Sequence, residues 1–388
     1  MRTRLASLTL LFLLALASCA PTTTAAPAPG SDLTSVPVTG APSTGFPLTD
    51  FPVTAVPTFE PIPVHVGYGY QGPWFELYFT DPSNPASKQQ SGGIEQAVIA
   101  SIDSARLTLD AAIYSFSLRE VANALLRARD RGVEVRVVME SDNRDKSVPQ
   151  ALIDAGIPIL GDRREGLMHD KFIVIDRSEV WTGSMNYTVS GVYQDNNNLI
   201  HIRSVKIAEN YETKFNDMYI NDKFGPDAVA DTPNPTVTID GTEVETYFSP
   251  NGGVANRLVS LLSTAQESIY FLAYSFTSDD IGQSVRDRYK AGVTVKGVMD
   301  DSQITSNQGT EYDLFRQAGI DVRRGGMDGL MHQKVLIIDR QIVVTGSYNF
   351  SASAENTNDE NLLIIHNPQI AELFLQEFDR VYAQATAQ

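Results

Sequence analysis

Two histidines, each followed two positions later by a lysine, are the groups in this sequence best suited to covalent and proton-transfer chemistry. His169 opens HDKFIVIDRSEVWTGSMN and His332 opens HQKVLIIDRQIVVTGSYN, so both stretches read H-x-K-x4-D-x6-G-S-x-N. A reaction that separates nucleophile from general acid needs two such groups in one cleft, and two half-sites would supply them. Lys171 and Lys334 share a strand face with His169 and His332, where their ammonium groups can meet developing negative charge. Asn186 and Asn349 add amide donors, with Ser184 and Ser347 beside them as substrate contacts. Asp176 and Asp339 lie an odd number of residues from the lysines, on the opposite face, and read as turn or structural hydrogen-bonding positions. Gly183 and Gly346 read as requirements of backbone geometry.

The elements that must position these residues form an internal repeat. WFELYFTDP parallels VETYFSP, and the Gly-Gly pairs at 92–93 and 252–253 each precede a helical pattern. Strands LTLDAAIYSF and IYFLAYSF then end at matching Tyr-Ser-Phe triplets. Tyr114 and Tyr274 in those triplets should face the cleft as substrate contacts, with core packing the plainer reading for them and for Phe116 and Phe276. The tyrosines are 160 residues apart and the histidines 163, which puts a three-residue insertion in the second copy, within a loop at 301–310. Second helices, 118–129 and 280–290, stop at Gly132 and Gly292. Further strands and a short helix lead to the apolar runs FIVID and VLIID inside the motifs. This alternation predicts an α/β fold: two α-β-α sandwich domains with mixed sheets, residues 65–232 and 233–388, packed about a pseudo-twofold axis that unites the motifs. One chain holds both half-sites, so a monomer suffices.

The chain has 388 residues, a formal charge of −17 and 42% apolar residues, which suits two folded domains and argues against a broad phosphate-tracking surface. Cys19 is the only cysteine, which excludes an intrachain disulfide and a cysteine metal site. Arg2 and Arg4, a short apolar run and Leu-Ala-Ser-Cys read as a signal peptide over 1–18 with Cys19 as a lipidation site. Residues 19–64, rich in Pro and Thr, read as an extended tether. The protein is therefore expected to be exported, as a membrane-anchored lipoprotein of a bacterial envelope or a secreted protein.

The paired motifs and the repeat around them, about residues 74–385, resemble the phospholipase D superfamily. The resemblance implies a phosphodiester substrate, one histidine attacking phosphorus to form a phosphohistidine and the other protonating the leaving alkoxide. It also implies a carboxylate hydrogen-bonded to a motif histidine. Glu360, 28 residues after His332, fills that position, and Asn197 stands there in the first copy, with Asp195 as a substitute carboxylate. Since a carboxylate favours the imidazolium, this reading pairs Glu360 with His332, makes His332 the acid and leaves His169 as nucleophile. No cofactor or metal is expected; Asp279-Asp280 and Asp300-Asp301 lack coordinating geometry. His65, His201 and His366 read as surface or strand-end residues, and Arg163-Arg164 and Arg323-Arg324 as solvated loop charge or a grip on an anion. A phospholipid at a membrane is the leading substrate. A secreted endonuclease acting on DNA and a catalytically silent envelope-binding protein stay open as alternatives.

Overall fold

A computed structural model describes residues 59–326 and 329–387; Cys19, the signal peptide and most of the tether lie outside the described residues. The first repeat builds a sheet from β1 (Glu60–Ile62), β2 (Tyr68–Gln71), β3 (Phe75–Phe79), β4 (Thr108–Ile113), β5 (Glu134–Met139), β6 (Ile159–Gly161), β7 (Lys171–Ile175), β8 (Glu179–Gly183) and β9 (Asn198–Arg203). Their spatial order is β1-β2-β3-β9-β8-β7-β4-β5-β6, parallel only in the pairs β4-β5 and β5-β6. The second sheet uses β10 (Thr236–Ile239), β11 (Thr242–Ser249), β12 (Ser268–Ala273), β13 (Thr294–Asp300), β14 (Asp321–Gly325), β15 (Lys334–Ile338), β16 (Ile342–Gly346) and β17 (Glu360–His366). Its order, β10-β11-β17-β16-β15-β12-β13-β14, repeats the first without the extra edge strand. That edge strand corrects the tether boundary: Glu60–Ile62 already pairs with β2, and Phe59 packs edge-on against Phe75.

The motif strands β7 and β15 are buried at every residue, which is why they read as unbroken apolar runs. Helices Glu95–Ser104 and Arg119–Asp130 cover the outer face of the first sheet, and Val254–Ser263 and Asp279–Lys290 that of the second. The expected insertion is partly ordered as the helix Asp301–Ser306 instead of being wholly loop. The inner faces share one core, because helices Val205–Tyr219 and Pro368–Gln384 contribute to a cluster drawn from both sheets. Asn367 caps the latter, its Oδ1 accepting from the N–H groups of Gln369 and Ile370, with Pro368 at the first helical position. Two ring contacts cross between the repeats: Phe79 with Phe374 at 5.1 Å and Tyr211 with Phe248 at 5.1 Å.

The turn of each motif hairpin is tied to the neighbouring strand. Asp176 accepts backbone N–H bonds from Arg106, Leu107 and Thr108, and Asp339 from Gln266, Glu267 and Ser268. At the far end of β8 and β16, Gly183 and Gly346 have φ of +150° and +146°. A Cβ there would lie 2.4 Å from Asn198 O and 2.3 Å from Asn361 O, so glycine is required on both counts.

Candidate active site

The two motifs meet where the segments before β7 and β15 pair with the opposite repeat. His169 N–H donates to Asp359 O at 2.9 Å, and His332 N–H donates to Asn196 O at 3.0 Å. These two contacts are related by the 163-residue offset, the signature of an isologous twofold interface. Thr182 donates to Asn361 Oδ1 and Thr345 to Asn198 Oδ1, each at 2.7 Å. Asn361 then donates to Asp170 at 2.7 Å and Asn198 to Gln333 at 3.0 Å, so the residue between histidine and lysine in each motif anchors the crossing.

The histidines are buried, and their partners are exchanged between repeats. Glu360 Oε2 lies 2.7 Å from His169 Nδ1, and Asn197 Oδ1 lies 2.9 Å from His332 Nδ1. This corrects the expected pairing of Glu360 with His332. Within its own sheet β17 is separated from β15 by β16, a distance of about 10 Å between strand axes, whereas the crossing strand brings His169 into hydrogen-bond range. Asp195 is no substitute: its carboxylate accepts from Leu330 N–H at 3.1 Å, mirrored by Asn358 accepting from Leu167 N–H at 3.2 Å.

Lys171 Nζ donates to His169 O at 2.5 Å and lies 4.9 Å from the Tyr114 ring centre. Lys334 donates to His332 O at 2.6 Å and lies 4.7 Å from the Tyr274 ring. Tyr114 and Tyr274 also pack edge-on or tilted against His169 and His332, at 4.7 and 4.6 Å. Both are half-buried and wall the site, while Phe116 and Phe276 are buried core. Burial holds both imidazoles well below their ordinary basicity, reinforced by the two lysines. Burial likewise brings Lys171 down to about 7 and pushes Glu360 up to about 8. Asn186 and Asn349 are half-buried, and the side-chain oxygen of each is without a hydrogen-bond partner.

Ser184 and Ser347, expected as substrate contacts, are fully buried and turned inward. The Ser184 hydroxyl donates to Asn197 Oδ1 at 2.8 Å, and the Ser347 hydroxyl accepts from Asn361 N–H at 3.0 Å. Their place is under the site, holding the residues that hold the histidines. Sequence reasoning missed this layer, including Asn198, Asn361 and the buried ion pair Lys214–Asp359 at 2.7 Å. The signal for the asparagines was present in DNNNLI and NDENLL, which align at the repeat offset.

The remaining candidates lie elsewhere. His201 is buried, not a surface residue, stacked on Trp181 at 4.4 Å and bonded to Glu179 at 3.0 Å. His366 ends β17 and bonds Glu245 at 2.7 Å. Glu243, Glu245 and His366 are the set of metal-ligating types that converges among the described residues, but Arg257 already grips Glu245 at 2.6 and 2.8 Å. Arg163 and Arg164 are tied to Asp222, Arg324 to Asp301, and Arg323 lies 3.7 Å over the Tyr382 ring. The four arginines are thus engaged with the protein itself.

The family model described as "Cardiolipin synthase, PLD-like domain" matches residues 98–219 and 258–382, one match per repeat. A phospholipase D of Rickettsia typhi is 38% identical over 135 residues, covering 35% of this chain and 66% of that protein. The human mitochondrial cardiolipin hydrolase is 36% identical over 136 residues, covering 35% of this chain and 54% of that protein. The chain thus spans less than two thirds of either relative. The crystal structure of phosphatidylserine synthase from Haemophilus influenzae superposes with a TM-score of 0.60 over 76% of this chain and 85% of that one, at 13% identity, a likeness of fold.

Proposed function

The chain belongs to the phospholipase D superfamily, and from that premise we propose that it hydrolyses phospholipids without a metal through a phosphohistidine intermediate. The observation that carries this reading is the crossed clamp on two imidazoles in one buried site, Glu360 on His169 and Asn197 on His332. With Nδ1 of each ring engaged, Nε2 is left for chemistry. His169 Nε2 attacks phosphorus as the bond to the leaving oxygen breaks, and His332 passes its Nε2 proton to that oxygen. Water then attacks the phosphohistidine, His332 Nε2 takes the proton back, and the P–N bond breaks. Glu360 supports His169 as nucleophile because the phosphorylated ring is cationic and keeps its Nδ1 proton beside the carboxylate. An arriving phosphate anion restores the charge of Lys171 and Lys334, which neutralise the non-bridging oxygens with help from Asn186 and Asn349.

A lipid substrate is favoured over nucleic acid by the net charge of −17 and by the internal pairing of the flanking arginines. The Cys19 motif would hold the site beside a bilayer, and the two curated relatives carry lipid-hydrolase names. The test offers phosphatidylcholine vesicles, cardiolipin vesicles and single- and double-stranded DNA to the wild type, His169→Ala and His332→Ala. Lipid hydrolysis that falls at least about 10³-fold in both variants is expected. DNA cleavage without lipid hydrolysis would overturn the substrate.

A further inference from the structure

The two histidines are held by partners of different charge, and the structure shows why the difference is built in. Asn197 sits in a closed set of bonds: its Nδ2 donates to Gly191 O at 2.8 Å, and its Oδ1 accepts from the Ser184 hydroxyl at 2.8 Å while facing His332 Nδ1 at 2.9 Å. A carbonyl only accepts, so Gly191 fixes which end of the amide faces the histidine, and His332 must carry its proton on Nδ1. In the second repeat the matching carbonyl, Ala354 O, is satisfied instead by the Ser249 hydroxyl at 2.6 Å. That frees position 360 to be a carboxylate. A carboxylate at 197 would turn an oxygen toward Gly191 O and leave that buried carbonyl without a donor.

The groups facing His332 otherwise add no negative charge to the ring. Lys334 at the start of β15, Lys171 on β7 and His169 across the axis all oppose a proton there, and burial opposes it most. Tyr274 presents its ring, and Ser184 its backbone, which favours the proton. Glu360 is hydrogen-bonded to His169, and it acts with Asp300 and Asp195 on Lys334.

We propose that Asn197 is a positioning residue that locks His332 in one tautomer while denying it the carboxylate partner that Glu360 provides to His169. The acid of the reaction is therefore a histidine that holds its second proton weakly. Turnover falls as pH rises through the loss of that proton, and substrates with more acidic leaving groups suffer least. This rests on the phosphohistidine reading for its kinetic consequence, but its core is a statement about ring protonation.

The experiment is a pH titration of ¹⁵N-histidine-labelled full chain by NMR, with signals assigned by His169→Gln and His332→Gln, for the wild type, Asn197→Asp and Glu360→Gln. In Asn197→Asp the His332 titration should move up by about one pH unit or more. The alkaline limb of kcat/KM on phosphatidylcholine should follow, while a p-nitrophenyl phosphodiester, whose leaving group needs no proton, shows no such move. An unmoved His332 overturns the proposal. Should Asn197→Asp fail to fold, Glu360→Gln decides through the reciprocal effect: the His169 titration must fall, and an unmoved His169 also overturns it. The titrations need no substrate, so a protein inert toward lipid but titrating as expected would sink the proposed substrate alone.

Discussion

In the proposed mechanism a phosphoryl group on His169 Nε2 makes that ring cationic, and Glu360 lies 2.7 Å from the nitrogen that would keep its proton. His332 meets the Asn197 amide at the same place and no carboxylate, so the two single-alanine variants should fail in different ways. With a p-nitrophenyl phosphodiester, His332→Ala should release one equivalent of nitrophenol in a burst and then stall, since attack survives and water activation does not. His169→Ala should give no burst. Rapid-mixing release with acid-quench mass spectrometry reads both, and phosphate found on His332 would reverse the roles. Asp170 carries a second residue-scale prediction. Burial pushes its carboxyl from 3.8 up to about 7, against the pull of Lys214. The folded state then binds a proton that the unfolded chain has lost, so this contribution is full below pH 4 and disappears as pH rises through about 7. Asp170→Asn keeps the acceptor for Asn361 and should shrink the loss of stability between pH 5 and 8 seen by urea unfolding; an unchanged loss would remove Asp170 as its source.

The motif hairpins need two kinds of support, and the difference can be measured. Gly346 has φ of +146° with a backbone oxygen 2.3 Å from any added Cβ, so Gly346→Ala strains the chain and displaces the crossing strand beneath the histidines. A cost above about 3 kcal/mol and loss of turnover are expected. Asp339→Ala removes acceptors from three backbone N–H groups at the opposite end of the hairpin, where water can reach them. It should cost roughly 1–3 kcal/mol and leave kcat of the folded fraction intact. Equal kcat losses in the two variants would show that the turn acts on the chemistry after all.

The two repeats behave as one folding unit in this structure, since Phe374 packs on Phe79, Phe248 on Tyr211, and Lys214 pairs with Asp359 across the axis. Residues 59–232 and 233–388 expressed apart should each lack a cooperative unfolding transition and turnover, because each exposes half a core and buried groups whose partners are on the other piece. A well-folded single half would overturn the shared core. Activity of the whole chain should persist in saturating EDTA, because the proposed mechanism draws nucleophile, acid and cations from side chains alone; loss restored by one divalent ion would refute that mechanism. The sequence by itself determined the motif residues, the repeat and the strand faces, since alternation and apolar runs are local properties of the chain. It also separated Asp176 and Asp339 from the histidine face, because a strand's period of two is fixed by backbone geometry. Only the tertiary structure decided whose carboxylate serves whose histidine. The repeat offset aligns Glu360 with Asn197, but position in a repeat does not say whether a residue reaches its own motif or the other one. That choice depends on strand order: β16 stands between Glu360 and His332, and the twofold axis lays Glu360 against His169, 191 residues away in the chain.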